Sequence, residues 1–467
     1  MSEVTGTLFK HRARLNEMAS VLARHGLAEW AARGSGIATA RPVDTIVHRV
    51  LTPEEMGAST GERLRGALTE LGTTYIKFGQ MLSLRPDLVG EDVANELSKL
   101  QATVPADPPG VAQRNAEAQL GRPVSELFGS FEAEPFASGS VAQVHHATLV
   151  DGTAVAVKIL HDGADVKVHE DLELMQAVAA YLENEDPELA QLRPTILVAE
   201  FAGMMTAAVD LREERSNLQR FRLNFADETD VVIPKPYDEL CRQNVLTMEM
   251  ISGQPFTDRA GVEAAGWDVD TLVQRAADVY LEMIFRDGLY HADPHPGNFL
   301  LPDDHHMAIL DFGDVGRLTN QRRRQLESLV IAIGTRDVDS LIDVILELTT
   351  PPSDVDLSEL RGDIEAWLNR YLLVGVGELD MNGIMSSGMK LLHDHRLVLP
   401  ADLALLFRVL LRLQGLGRGV GTEVRVTELL QPYVRKMLAE RVRSAPHRSP
   451  GRPICPPLGP LRGWSAR

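Results

Sequence analysis

Length, composition and charge limit what this chain can be. Its 467 residues can form about three domains or one elaborated two-lobed enzyme, and 44% of them are hydrophobic, which is enough for a large core. The formal charge of -19, from 47 basic and 66 acidic residues, argues against nucleic-acid binding, because contacts to phosphates need a basic surface. The two cysteines, Cys241 and Cys455, are too few for a disulfide framework or a cysteine-ligated zinc site.

Hydropathy limits the expected contact with membranes. No run of 18 apolar residues occurs, and the most apolar stretch, 399–413, is interrupted by Asp402, Arg408 and Arg412, which is typical of an amphipathic helix. The N-terminus has no apolar core of signal-peptide type. We therefore expect a cytoplasmic protein without a spanning helix and with at most peripheral contact to a membrane.

The first 120 residues are predicted to form a helical extension. Residues 1–55 combine early basic side chains with apolar positions, a pattern that favours helix-on-helix packing over a membrane-surface helix. A second helical block, 56–120, contains Lys-Phe-Gly-Gln at 77–80.

The period of the apolar residues then changes from helical to alternating. Strands are predicted at 131–136, 141–149, 153–160, 231–233 and 244–250, and helices at 165–184 and 192–224. The pair Asp151-Gly152 supplies a tight turn between the second and third strands. These elements predict a small lobe with an antiparallel sheet over 121–253.

The rest of the chain is predicted to be a helical lobe over 254–443, apart from a loop-rich part at 289–317. Beyond it, residues 441–467 carry six arginines, six prolines and no acid. This composition predicts a disordered basic tail, which we delimit as 444–467.

Two segments of the loop-rich part predict phosphoryl-transfer chemistry: His-Ala-Asp-Pro-His-Pro-Gly-Asn at 291–298 and Asp-Phe-Gly at 311–313. Phosphoryl transfer needs a carboxylate that orients the acceptor hydroxyl and oxygen ligands that hold Mg²⁺ against the phosphates. In kinases a catalytic-loop Asp, an Asn five residues later and the Asp of Asp-Phe-Gly supply these groups. Here Asp293, Asn298 and Asp311 match that pattern. We predict Asp293 as the catalytic residue and Asn298 and Asp311 as Mg²⁺ ligands.

The histidines of this region allow another interpretation. His291, His295, His305 and His306 could form a zinc or two-metal hydrolase site, with Asp293 as a bridging ligand. Such a site gives no role to the Asp-Phe-Gly segment, and the last two histidines lie in a polar turn that is more simply a surface turn. We therefore favour the phosphotransferase.

A cation for the nucleotide phosphates is predicted at Lys158, the end of the strand segment Val155-Ala156-Val157-Lys158. A loop of small residues precedes it, and such residues let backbone N–H groups approach phosphate. This loop consists of Ala137, Ser138, Gly139 and Ser140. It is 19 residues from Gly139 to Lys158, which suits a loop that covers the same nucleotide.

An acid on a helix should orient Lys158. We choose Glu214, although spacing alone does not exclude Glu213. Further along, residues 246–250 fit the strand that links the two lobes, where backbone groups of Glu249 and Met250 would meet adenine.

At this point the residues resemble a known family, the UbiB/AarF (ABC-one) atypical protein-kinase-like family. The resemblance extends from about residue 71 to 314, and less sharply to about 440. It rests on Lys-Phe-Gly-Gln at 77–80, which matches the Lys-x-Gly-Gln motif that ordinary kinases lack. It rests also on 137–145, which resembles the Ala-rich nucleotide loop of the family, and on the segment 291–298.

The resemblance implies an α+β, bilobal protein-kinase-like fold with ATP and Mg²⁺ as cofactors. Val144 would belong to the nucleotide loop, and Lys77 and Gln80 would belong to a helical extension that folds over the active site as a lid. Family members are linked to isoprenoid quinone, ubiquinone-type, or lipid metabolism. The implied activity is therefore that of an ATPase or phosphotransferase, with quinone precursors or lipids as possible partners.

Three positions depart from the family pattern. Gly139 stands where the family commonly has Ala, and Ala208 stands where it usually has the Glu of a Glu-x-Asp pair with Asp210. The basic tail stands where many members have two spanning helices.

Two other functions remain open from the sequence. A small-molecule kinase of the aminoglycoside or choline kinase type uses a similar catalytic loop, but the residues 77–80 and 143–145 favour the UbiB type. A non-catalytic scaffold that binds ATP is the third interpretation, and it leaves the complete set of chemical residues unused.

Overall fold

The structure is a computed structural model of the chain, and it describes residues 2–27, 58–101, 104–185, 190, 193–257, 259–349, 351–352, 355–372 and 381–422. The predicted basic tail lies outside these residues, as does the second half of the first predicted helical block.

The N-terminal extension is helical in its described part. Its helices are α1 (Ser2–Lys10), α2 (Arg12–Arg24), α3 (Thr60–Leu71), α4 (Thr73–Leu82), α5 (Pro86–Val89), α6 (Glu91–Leu97), α7 (Val111–Leu120) and α8 (Val124–Leu127). Ser59 begins α3 with a capping box, since it accepts a hydrogen bond from the Glu62 amide and the Glu62 carboxylate accepts one from the Ser59 amide. Gly72, at φ +100°, ends α3 and lets the chain turn into α4, which carries the 77–80 motif.

The described strands form three sheets. They are β1 (Phe128–Phe131), β2 (Ala137–Ser138), β3 (Ala142–Leu149), β4 (Ala154–Leu160), β5 (Val231–Val232), β6 (Val245–Glu249), β7 (Gln254–Pro255), β8 (Leu289–His291), β9 (Phe299–Leu301), β10 (Met307–Ile309) and β11 (Val315–Arg317). The largest sheet has the order β1-β3-β4-β6, with β2 paired to β3, and all of its pairs are antiparallel. Smaller sheets β5-β10-β9-β7 and β11-β8 carry the loop-rich part of the chain.

The strand predicted at 131–136 is wrong in its position. The strand lies at Phe128–Phe131, and the chain bends between it and β2. Pro135 has no N–H group to give to a sheet, and Phe136 is 47% exposed and stacks on His146 instead of entering the core. The turn predicted at Asp151-Gly152 is confirmed, and Gly152 has a φ of +89°.

The other α-helices follow from residue 164 onward. They are α9 (Ala164–Glu185), α10 (Pro194–Ala208), α11 (Leu211–Asn224), α12 (Arg259–Ala264), α13 (Val269–Glu282), α14 (Asn320–Thr335), α15 (Val338–Leu348), α16 (Leu357–Leu372), α17 (Met381–Asp394) and α18 (Ala401–Leu416). The predicted single helix at 192–224 is two helices, because Asp210 starts α11 as an N-cap and accepts a hydrogen bond from the Arg212 amide. The bend between α10 and α11 is 81°.

No single helix within the described ranges is long and apolar enough to cross a membrane, and only α10 and α11 taken together, across their bend, reach that length and composition.

One hydrophobic core joins the extension to both lobes. It includes Leu64 and Tyr75 of the extension, Phe201 of α10, and Tyr280 and Leu413 of the helical lobe. The contact between the extension and α10 is partly aromatic, since Phe78 of α4 meets the ring of Phe201 edge-on at 5.0 Å. The extension is therefore packed into the kinase-like lobes through apolar side chains.

This packing predicts a large stability effect at Phe201, which is 0% exposed. Replacement of Phe201 by Ala should lower the free energy of unfolding by about 3–5 kcal/mol, the usual loss for a buried Phe that leaves a cavity. Urea unfolding followed by circular dichroism measures the change. Ile196→Ala is the control, because Ile196 lies on the same helix and is 48% exposed, so a change within about 0.5 kcal/mol is expected there. Equal effects of the two changes would contradict the described packing.

Candidate functional site

The segment 291–298 is held by a buried histidine. His291, 0% exposed at the end of β8, has its Nε2 at 3.0 Å from the carbonyl oxygen of Leu310, so Nε2 donates that hydrogen bond. Its Nδ1 accepts a hydrogen bond from the amide of Asp293 at 3.1 Å, and the hydroxyl of Tyr280 lies 3.2 Å from the same atom. His291 thus fixes the backbone at Asp293 and joins it to the strand that leads to Asp311.

These contacts bear on the zinc alternative. Both ring nitrogens of His291 are used, so the ring has no lone pair left for a metal. His306 pairs with Asp303 at 2.8 Å in the exposed turn, and His305 pairs with Asp304. Among the described residues, no group of three or more His, Cys, Asp or Glu side chains is arranged to hold a metal ion. The histidine arrangement therefore gives no support to a zinc hydrolase.

Asn298 lies beside Asp293. Its Nδ2 donates to the main-chain oxygen of Asp293 at 3.0 Å and approaches the carboxylate Oδ2 at 3.4 Å. With Nδ2 directed to Asp293, the amide oxygen of Asn298 is the atom that could coordinate a metal. The amide of Leu310 donates to the main-chain oxygen of Asn298 at 2.8 Å, which brings Asn298 next to the Asp311 segment.

Lys158 joins three elements that are distant in sequence. Its ammonium group on β4 lies 2.9 Å from the carboxylate of Glu214 on α11 and 2.9 Å from Oδ1 of Asp311. Glu214 is 4% exposed, whereas Glu213 points away and is exposed. The rotation of α11 about its axis therefore places Glu214, and not Glu213, against Lys158.

Packing behind this ion cluster fixes the Asp-Phe-Gly turn. Phe312 is 0% exposed and its ring lies 4.7 Å from that of Phe221 on α11. Asn217, also on α11, donates from Nδ2 to the main-chain oxygen of Phe312 at 3.0 Å. Asp311 itself has a φ of +57°, an uncommon and costly conformation for a residue other than glycine. The contacts to α11 hold it there and direct its carboxylate at Lys158.

The three charged groups shift one another's pKa values. Lys158 lowers the pKa of Asp311 well below its usual range. Burial raises the pKa of Glu214 to about 7, although the ammonium group of Lys158 opposes this rise. Burial disfavours the charge of Lys158, but Asp311 and Glu214 together outweigh it and raise the pKa of Lys158. The two carboxylates therefore favour the charged form of Lys158.

Strand pairing places the predicted nucleotide loop next to Lys158. Val144 on β3 pairs with Lys158 on β4 and with Ala137 on β2. In the structure the amide of Gly139 donates to the oxygen of Ala142 at 2.8 Å, so this N–H group is not available to phosphate in this conformation. Ser140 follows in the same turn.

Two further contacts join this loop to residues outside it. Nε2 of His161 lies 3.2 Å from the oxygen of Gly139, and the Ser138 hydroxyl donates to the oxygen of Val104 at 2.8 Å. A Cβ atom added at Gly139 would lie 3.4 Å from the Ala142 oxygen, an ordinary contact. Lack of space in the described loop therefore does not explain why this chain has Gly139 where the family commonly has Ala.

Glu249 ends the strand β6, and Met250 follows it directly. The amide of Glu249 donates to the oxygen of Lys235 at 2.8 Å, and that of Met250 donates to the oxygen of Ala154 at 3.3 Å. Both N–H groups are used within the protein, so the expected backbone contact to adenine would have to come from the carbonyl oxygens.

The lid prediction concerns Lys77 and Gln80 on α4. Gln80 donates from Nε2 to the oxygen of Leu100 at 3.0 Å, a contact within the extension. In the described part of the chain, neither side chain has a hydrogen bond or ion pair to the predicted catalytic and nucleotide residues. Asp210, the remaining acid of the family's Glu-x-Asp pair, forms an ion pair with Arg212 at 2.6 Å.

Comparison with known proteins identifies the family. A family model described as the ABC1 atypical kinase-like domain matches residues 99–345, more than half of the chain. This chain belongs to the ABC1 atypical kinase-like family.

Curated relatives and one solved structure agree with this membership. The chain is 34% identical over 397 residues to a probable protein kinase UbiB from Shewanella loihica, which covers 84% of this chain and 72% of the relative. The corresponding protein of Cellvibrio japonicus is 33% identical over 387 residues, with 82% and 70% covered. The structure of Rv3197 with erythromycin from Mycobacterium tuberculosis has a TM-score of 0.52 at 26% identity and covers 78% of this chain and 93% of that one. The bilobal kinase-like fold predicted from the sequence is thereby confirmed.

Sequence reasoning missed an arginine at the centre of this ABC1-type site. Arg412 on α18 forms an ion pair with Oδ1 of Asp293, and Arg408, one turn earlier, donates to Asp314 at 3.0 Å. In the sequence both arginines only interrupt an apolar stretch. Their spacing of four puts them on one face of a helix, which was the available signal, but nothing local shows what that face meets.

Removal of the Lys158 charge should have a pH-dependent cost. In Lys158→Met the carboxylate of Glu214 stays buried without its counter-ion, which typically costs about 3–5 kcal/mol of unfolding free energy. In the wild type, burial raises the pKa of Glu214 to about 7 against the opposing charge of Lys158, so removal of that charge should raise this pKa further. As the pH rises past 7, the wild-type carboxyl is already ionised in the folded state, whereas the variant keeps its proton and continues to lose stability relative to the unfolded chain. The loss should therefore be larger at about pH 8 than at about pH 5.5.

Urea unfolding of Lys158→Met and of Lys158→Met with Glu214→Gln tests this. The second substitution should remove most of the pH dependence, because it replaces the titrating acid by a neutral amide. Lys99→Met is the control, since Lys99 is 58% exposed and its pair with Glu96 lies at the surface. A pH-independent loss in the single Lys158 variant would show that Glu214 does not carry the effect.

Proposed function

We propose that this chain binds MgATP in the cleft between its lobes and acts as an ATPase or phosphotransferase. The observation that carries the proposal is the convergence of Lys158, Glu214 and Asp311, from β4, α11 and the Asp-Phe-Gly turn, at 2.9 Å contacts. Family membership and the kinase naming of the relatives support the phosphotransferase class.

The residues of the site fit a magnesium–nucleotide ligand. Mg²⁺ prefers oxygen ligands, and the amide oxygen of Asn298 and the carboxylate of Asp311 are the atoms that would hold it. When bound, the ion would neutralise charge on the phosphate oxygens. The ammonium group of Lys158, kept in place by Glu214, would bind the α- and β-phosphates as a point charge.

Asp293 would act on the acceptor. Its backbone is fixed by His291 and its side chain lies beside Asn298, so its carboxylate can orient a hydroxyl or a water toward the nucleotide and take its proton. The pair Glu249 and Met250 would line the adenine side through carbonyl oxygens. The loop of Ala137, Ser138, Gly139 and Ser140 would cover the phosphates after it releases the Gly139 amide.

The physiological role that we propose is support of isoprenoid quinone or lipid metabolism, by a protein of the cytoplasm with at most peripheral membrane contact. This part rests on the resemblance of the sequence motifs at 77–80, 137–145 and 291–298 to the UbiB/AarF family. Quinone precursors and lipids are therefore the molecules to add in a first assay.

The decisive measurement is MgATP turnover by the purified full-length chain, with and without quinone precursors or lipid vesicles. Asp293→Asn should slow turnover by roughly 10²–10⁴-fold, the usual range for removal of acid–base help, with little change in ATP affinity. Asp304→Asn is the control, because Asp304 is 55% exposed in the neighbouring turn. Turnover by Asp293→Asn at the wild-type rate would refute the catalytic assignment and leave an ATP-binding scaffold as the better interpretation.

A further inference from the structure

The helix α18 lies across the catalytic segments and is attached to them at several points. Arg412 pairs with Asp293, and Arg408 pairs with Asp314, whose main-chain oxygen accepts a hydrogen bond from the Ala292 amide at 2.9 Å. At the start of the helix, Asp402 accepts a hydrogen bond from Arg322 at 2.8 Å. The guanidinium of Arg412 is thus positioned by a helix that is anchored elsewhere.

The contact of Arg412 uses the carboxylate that the proposed reaction needs. Oδ1 of Asp293 is paired with the guanidinium, and Oδ2 faces the Asn298 amide at 3.4 Å. The guanidinium occupies Oδ1 and takes the space beside it that an acceptor hydroxyl or water would need. The resting arrangement therefore opposes the approach of an acceptor to Asp293.

We propose that Arg412 is a counter-ion latch, a side chain that holds Asp293 in an ion pair and must leave before Asp293 engages an acceptor. The proposal rests on the catalytic role assigned to Asp293 under the proposed function. It makes Arg412 a positioning residue that acts through Asp293, and it adds to MgATP binding a control over basal turnover.

Exposure sets the strength of the latch. The side chain of Arg412 is 48% exposed and that of Asp293 is 37% exposed. Ion pairs at such positions are weak and are screened by salt. The closed state should therefore be favoured by at most about fivefold, which corresponds to the upper end of the range for an exposed pair. A latch of this strength reduces turnover without abolishing it, and a substrate can open it.

The first test compares Arg412→Gln with the wild type at saturating MgATP and low salt. The latch predicts a rise in kcat of about two- to fivefold with little change in KM for ATP, because among the described residues Arg412 forms no hydrogen bond or ion pair with the predicted nucleotide residues. Arg361→Gln is the matched control, since Arg361 is 46% exposed and pairs with Asp339 on another face of the helical lobe. A fall in kcat would overturn the latch and make Arg412 a contributor to phosphoryl transfer.

The second test uses salt and a mutant cycle. Higher ionic strength should raise kcat of the wild type toward that of Arg412→Gln and leave the variant nearly unchanged. In the Asp293→Asn background, Arg412→Gln should have no further effect, because the latch acts only through that carboxylate. An equal gain in both backgrounds would overturn the proposal.

The outcomes also separate this inference from the proposed function. If Asp293→Asn abolishes turnover but Arg412→Gln does not raise it, the latch fails and the catalytic assignment stands. If the wild type, at low and high salt, and Arg412→Gln all lack MgATP turnover, the proposed function fails and the latch fails with it. Thermal unfolding of each variant, expected to match the wild type, excludes a loss of folding as the cause of either result.

Discussion

The ammonium group of Lys158 between two carboxylates is the interaction on which the rest of the site depends. It connects a central strand of the small lobe, the helix α11 and the Asp-Phe-Gly turn, each from a different part of the chain. Burial makes this arrangement demanding, because a charge in a low-dielectric surrounding is stable only with its partners in place. Asn217 and Phe312 keep the turn against α11, so that the uncommon backbone of Asp311 is compensated by contacts around it.

A second constraint comes from the helical extension. Apolar side chains of α3, α4 and α6 belong to the same core as those of α10 and the helical lobe, so these helices of the extension contribute to the packing of α10. Phe78 of the 77–80 motif packs on Phe201, while Gln80 bonds to Leu100 within the extension. In the described residues the motif thus has a packing role, and its proposed function as a lid would be an additional one.

Three contacts within the protein restrain the described site. The Gly139 amide is bonded within its own hairpin, His161 contacts the Gly139 oxygen, and Arg412 pairs with Asp293. Under the proposed function, the Gly139 amide and the Asp293 carboxylate are groups that the nucleotide or an acceptor would otherwise meet. Binding would then exchange protein contacts for ligand contacts, and the net affinity would depend on the difference between them.

The sequence by itself determined the candidate residues of the site and the local turns. The spacing of five between Asp293 and Asn298 and the turn at Asp151-Gly152 depend on short stretches of chain, which obey local backbone rules. Tertiary structure alone decided that Glu214 and not Glu213 meets Lys158, and that Arg412 meets Asp293, because these contacts depend on the rotation and placement of whole helices. A one-residue step around a helix changes the facing side by about 100°, and no local pattern states which face a distant strand or loop will cover.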